Sequence, residues 1–240
     1  METTPKVDFL GMTFDLTVVG ASLIAAIIVF VFVMWATRRR EMVPRGVQTV
    51  MEMVIDFANS ITKLAYDDKR APKFLAFTLT LFLFILVANQ MGVIGMVTAT
   101  VTEPIPALGL EKDDHISLLK SPTADMNFAF AFAIAIALFA NFMGIITSFK
   151  NYVKHFINPL GIIHVIEEFS KPLTHALRIW ANIFAGEILI TVLLTKMNLA
   201  FSGLPLVVWI GFSLFVGLIQ AYIFTVLANV YIAQKISTDH

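Results

Sequence analysis

Arg178 stands in the middle of a long apolar stretch, 158–195, that also carries Glu167, Glu168, Lys171, His175, Asn182 and Glu187. These types are those of ion and proton transfer: a permanent cation, carboxylates that bind and release protons, an imidazole, and amides that hold water. Arg178 lies about 17 residues from either end of the span 161–195 within this stretch, roughly 25 Å along a helix. Its side chain cannot reach water at that distance, and its pKa above about 12 keeps it charged. A charge fixed at depth demands compensation, from a water-filled cavity or from a carboxylate on a partner.

Helical phase arranges the rest. At 100° per residue, His164, Glu168, Lys171, His175, Arg178 and Asn182 fall within about an 80° sector and form one polar stripe. Glu187, nine residues beyond the arginine, projects about 180° away and lies roughly 14 Å further along the axis. Glu168 lies about 15 Å from it in the other direction. A carboxylate thus stands on each side of a fixed cation at a different depth, which suits two aqueous routes kept apart by the arginine. A kink at Pro172 would shift this phase. The bland alternatives are interfacial charge for Glu167, Glu168 and Lys171, packing for His175, and interhelical hydrogen bonding for Asn182, Gln220 and Asn229.

The elements that position these groups are membrane helices. The chain has 240 residues, 58% hydrophobic and 14% charged, with a mean hydropathy of +0.82, against roughly half apolar and a quarter charged in soluble domains. A bilayer core about 30 Å thick needs roughly 20 apolar residues in a helix. Spans are predicted at about 16–37, 74–97, 126–148, 161–195 and 205–234, the last two long enough to require tilt or a bend. The fold class is therefore all-α and multi-pass, read as a single membrane domain over 1–240 with about five spans. Segment 43–65 has an apolar face of Val47, Val50, Met51, Val54, Phe57, Ala58 and Ile61 opposite Gln48, Glu52, Asp56, Asn59 and Lys63. It is too polar to cross and is predicted to lie at the membrane surface, the alternative being a helix packed on another subunit or loop. The first span is too long for a signal-peptide core and is followed, not preceded, by basic residues, so it reads as a retained helix.

Basic residues cluster on one side. Arg38, Arg39, Arg40, Arg45, Lys63, Lys69, Arg70, Lys73, Lys150, Lys154 and Lys235 share it, against Lys6, Lys112, Lys120 and Lys196. The positive-inside rule puts the N-terminus outside and the C-terminus in the cytoplasm. Loop 98–125 is then outside, broken by Pro104, Pro106, Gly109 and Pro122 and bearing Glu111, Asp113 and Asp114. Zero net charge gives no field for nucleic acid. The absence of cysteine removes disulfides and thiolate metal sites. No Gly-rich phosphate loop is present, so neither cofactor nor metal is expected and the chain is no enzyme by itself.

The run SKPLTHALRIWANIFAGEI resembles the signature of subunit a of the F-type ATP synthase: an arginine, an asparagine four residues on, and an acidic residue or histidine nine residues on, here Arg178, Asn182 and Glu187. VANQMGVIG at 87–95, SPTADMNFAFAFAIA at 121–135 and IQAYIFTVLANVYI at 219–232 resemble other segments of that family in the same order. EEF at 167–169 and FAGE at 184–187 look like its Gram-positive bacterial branch.

The resemblance implies a proton-channel stator subunit of the Fo sector in a bacterial cell membrane. Its partners would be a rotating c-ring whose helices bear carboxylates, the peripheral-stalk subunit b and, indirectly, the F1 sector. Arg178 would keep a ring carboxylate ionised and block a direct leak. Glu187, with Asn182 and Gln220, would line the path beside the ring. Glu168 would serve the inner route, and Asp125 and Asn127 the outer one. His175, Glu167 and Ser213 are further candidates; Ser213 stands where some members have a histidine, so Glu187 is expected to rely on other polar groups or water. The competing readings are a secondary transporter that binds substrate through Glu168, Arg178 and Glu187, and a structural membrane subunit. The lack of internal repeats counts against the first, and the depth of Arg178 against the second.

Overall fold

The structure is a computed structural model, and it describes residues 4–9, 11–38, 41–43, 45–95, 97–101, 115–157, 161–196 and 199–236. Among the described residues six α-helices carry the fold: α1 (Leu16–Thr37), α2 (Val47–Ala65), α3 (Ala71–Ile94), α4 (Met126–Ile157), α5 (Gly161–Lys196) and α6 (Leu199–Ile236). Five of them, all except α2, are long and apolar enough to cross a membrane. The all-α, multi-pass architecture expected from the sequence is therefore the one observed.

Two small antiparallel hairpins were not anticipated. Lys6–Phe9 (β1) pairs with Met12–Asp15 (β2), and Val97–Thr100 (β3) pairs with His115–Leu119 (β4). The first turns through Gly11 at φ 78°, which a glycine adopts without strain. The Asp15 carboxylate then accepts hydrogen bonds from the backbone N–H groups of Thr17 (2.9 Å) and Val18 (3.2 Å), starting α1. Lys120 ties the two hairpin regions together, its ammonium 3.4 Å from Asp15. The expected breakers Pro104, Pro106 and Gly109, the acidic group Glu111, Asp113 and Asp114, and Lys112, Arg39 and Arg40 lie outside the described residues.

Helix α3 is the centre of the bundle. Its Leu81, Phe82, Leu83 and Ile85 pack with Val29 of α1, Ala129 and Ile136 of α4, Ile179 of α5, and Ala221, Phe224 and Ala228 of α6. Alanines at 21 and 25 of α1 and 88 of α3 let those helices approach closely. Polar groups tie α3 to α6 along its length. The Thr78 hydroxyl donates to Asn229 Oδ1 (2.8 Å), the Asn89 amide to the Gly217 carbonyl (2.9 Å), the Gln90 amide to the Leu214 carbonyl (2.9 Å), and Arg70 to the Ile236 carbonyl (2.9 Å). Asn229 is thus helix glue, one of the two readings its type allows.

Helix α2 packs on α3 and α6 of its own chain. Met51, Ala58, Ile61 and Thr62 are buried, and the Phe57 ring meets Phe82 (5.0 Å between centroids) and Tyr222 (5.7 Å). Val50 and Phe57, on the apolar face inferred from the sequence, stay exposed. Helix α4 runs to Ile157, past the expected end of the third span at 148, since after Gly144 no proline or glycine occurs before Pro159. Helix α5 spans 36 residues and α6 38, each with an internal proline, Pro172 and Pro205.

Candidate functional site

The polar stripe of α5 faces α6. From one end of the helix towards the other, Lys235 of α6 meets Glu168, Gln234 meets Lys171, Tyr231 and Phe224 flank His175, and Gln220 meets Asn182. The side chain of His164, at the start of the stripe, lies outside the described residues.

Two polar clusters result. In the first, Glu168 holds Lys235 at 2.5 Å and accepts a hydrogen bond from the Asn141 amide of α4. The Lys171 ammonium bridges Glu167 (3.0 Å) and Gln234 (3.1 Å), and stands 5.6 Å from the centre of the Tyr231 ring. A small cavity between α4, α5 and α6 opens beside these groups, with Ala133, Ala137 and Ala140 on its α4 wall and His175 in its lining. Glu168 and Lys235 are thus directed inward to the cavity, whereas the Glu167 side chain is 46% exposed, at the rim.

The second cluster surrounds Glu187. Its Oε1 accepts a hydrogen bond from the Ser121 backbone N–H at 3.0 Å. The same oxygen fills the space over Gly92 of α3: a methyl group there would stand 1.7 Å from it. The Ser121 hydroxyl lies 2.7 Å from both the Ala88 carbonyl and the Thr123 hydroxyl and can donate to one of them, while the Thr123 hydroxyl lies 2.8 Å from Asn89 Oδ1. Asn89, Ser121 and Thr123 thus join Glu187, while Gln90 turns to Leu214 and Gly217 of α6. The sequence reading gave no role to Asn89, Gln90, Ser121 or Thr123, although VANQMGVIG and SPTADM contain all four; what would have singled them out is the density of small hydroxyls and amides next to a glycine. Nearby, Asn182 donates to Gln220 Oε1 at 3.2 Å, and Ser213 sits against Gly186. Gln90 Oε1, Ser213 Oγ and Gln220 Nε2 are buried with no hydrogen-bond partner among the described residues, and so are open to a mobile partner such as water.

Between the clusters stands Arg178. It is half-buried, and among the described residues no carboxylate lies within ion-pair distance of it. It acts electrostatically on His175 and Tyr231. Beside it α5 presents Leu173, Leu177, Phe184 and Ile188 outward, and α6 presents Phe212, Phe215 and Leu218. Asp125 stands immediately before α4. Its carboxylate accepts the Phe128 N–H at 3.0 Å and caps α4, while Asn127 is exposed on the first turn of that helix. The residue from this segment that reaches Glu187 is Ser121.

Among the described residues, five apolar helices carry a half-buried arginine between two polar clusters, the arrangement an ion-conducting membrane subunit requires. The chain belongs to the ATP synthase A chain family, whose profile matches residues 19–233. It is 37% identical to ATP synthase subunit a of Anoxybacillus flavithermus over 98% of both chains. It is 34% identical to that of Priestia megaterium over 99% of this chain and 98% of the relative, and 34% identical to that of Bacillus subtilis over 98% and 97%.

Proposed function

We propose that this chain is the proton-channel stator subunit of a bacterial ATP synthase, passing protons to and from carboxylates on a rotating ring through two half-channels. The observation that carries this reading is Arg178, a half-buried cation with no carboxylate at ion-pair distance among the described residues, on a face lined with outward apolar side chains. A carboxylate brought to that face by a ring helix is held ionised by the guanidinium. Carried on into lipid, it must be neutral. The Glu187 cluster, with Asn182 and Gln220, loads the carboxylate from one side of the membrane, and the Glu168 cavity unloads it on the other. Rotation in one direction follows, because the arginine separates the two routes. The peripheral-stalk subunit b holds the chain against the ring, and the F1 sector performs the nucleotide chemistry.

Affinity purification of the tagged chain from membranes tests this. A ring of small carboxylate-bearing hairpin subunits and a soluble ATPase are expected with it. Isolation of the chain alone, with solute transport in liposomes, would establish a secondary transporter instead.

In this reading the N-terminus is outside and the Glu187 cluster opens outward, since the basic residues gather at the opposite end. The chain has no cysteine, so a single introduced one reports its own position. In intact cells, Lys6→Cys should react with an impermeant maleimide and Lys63→Cys should not. The reverse pattern would invert the orientation.

A further inference from the structure

We infer that His175 is a proton relay between the ring-facing surface at Arg178 and the cavity at Glu168. This rests on the stator reading above. The His175 side chain is buried, with the residue 4% exposed, and neither ring nitrogen has a hydrogen-bond partner among the described residues. The Phe224 backbone carbonyl lies close but without hydrogen-bond geometry. An imidazole used only for packing normally satisfies at least one nitrogen, and leaving both open carries an uncompensated desolvation cost. Its position supplies a reason for that cost. It lines the same cavity as Glu168, Lys171, Tyr231 and Lys235, two helical turns from Glu168 and one turn from Arg178. The Phe224 ring packs against it edge-on, with centroids 3.7 Å apart, and holds it in place.

The charged and titratable groups that face it are Glu168, Lys171 and Arg178 from α5, and Tyr231 and Lys235 from α6. The α4 wall of the cavity contributes Ala133, Ile136, Ala137 and Ala140. No other group of the cavity lining stands so near the arginine along α5, and an imidazole has the chemistry to carry a proton past it. One nitrogen accepts the proton from a ring carboxylic acid, directly or through water, as the O–H bond breaks and the carboxylate remains facing Arg178. The imidazolium then loses the proton on its other nitrogen to water in the cavity, beside Glu168. A flip of the ring restores the first tautomer. One proton has moved, and the histidine is unchanged.

The test uses the whole synthase in liposomes, with proton flux followed by a pH-sensitive dye and normalised to assembled complex. His175→Gln keeps bulk and polarity but cannot relay; His175→Ala leaves room for added imidazole. Flux is expected to fall about tenfold or more in both, and imidazole is expected to restore the alanine variant severalfold while leaving the parent and His175→Gln unchanged. If His175→Gln assembles poorly, His175→Asn takes its place. Flux within about twofold of the parent in the assembled Gln or Asn variant, or no imidazole rescue in His175→Ala, overturns the relay. Arg178→Ala is run in parallel. If it keeps its flux, the stator reading itself fails; if it loses flux while His175→Gln does not, only the relay falls.

Discussion

Arg178→Ala is expected to abolish proton-driven ATP synthesis in a synthase that still assembles. A carboxylate close to a guanidinium has its pKa lowered by about 1–3 units, so losing the cation lowers its tendency to ionise by about 10- to 1,000-fold. The ring carboxylate then passes the stator still protonated, and the two half-channels are no longer separated. The substitution leaves the described packing intact, because Arg178 forms no ion pair among the described residues and core packing on that turn comes from Ile179. Arg178→Lys should fail as well, if less completely, since a desolvated ammonium releases its proton whereas a guanidinium does not. Inverted vesicles that hold the assembled Arg178→Ala complex and make ATP at a substantial fraction of the parent rate would refute this assignment.

Gly92→Ala should have the next largest effect, although the change is one methyl group on a different helix from the carboxylate it displaces. The new methyl would sit 1.7 Å from Glu187 Oε1 and 3.0 Å from the Ser121 side chain. The carboxylate has to swing away, losing the Ser121 N–H bond. A hydrogen bond to a charged group contributes about 1.5–3 kcal/mol, so coupled proton flux should drop by about tenfold or more. Shortening the displaced side chain with Glu187→Asp should recover part of the activity in the double variant while impairing the parent. Dye-quench measurements on the two single variants and the double variant settle the matter: parent-like flux in assembled Gly92→Ala would mean that the position of the Glu187 carboxylate does not matter.

The stripe on α5 was legible because a helix converts sequence spacing directly into direction. Glu168, Lys171, His175 and Asn182 share a face by phase alone, and all four meet α6. The partners themselves were less legible. Nothing local pairs Ser121 with Glu187, 66 residues away, or Thr123 with Asn89, 34 away. Such contacts depend on how the helices cross. Gly92 carries no signal of its own in the sequence, since its importance lies in the side chain that occupies the space over it. The assignment of Asp125 to a proton route followed from its place at the mouth of a span; in the fold its carboxylate caps α4, which acidic residues at that position commonly do. The hairpins escaped notice because strands of four or five residues leave too little alternation to stand out against a long apolar background.

The length of α5 has a further consequence. Its apolar stretch, Ile166–Leu193, has 28 residues, about 42 Å of helix against a hydrocarbon core about 30 Å thick. A straight rod of that length kept within that thickness drifts sideways by about 30 Å between its ends. Set against a cylindrical rotor, such a rod meets the cylinder at a different azimuth at each depth, as an oblique line drawn across a drum does. Entry and exit are then offset around the circumference as well as through the thickness. On the proposed stator reading, a helix so inclined would set the phase of the rotary cycle at which a proton boards and the phase at which it leaves.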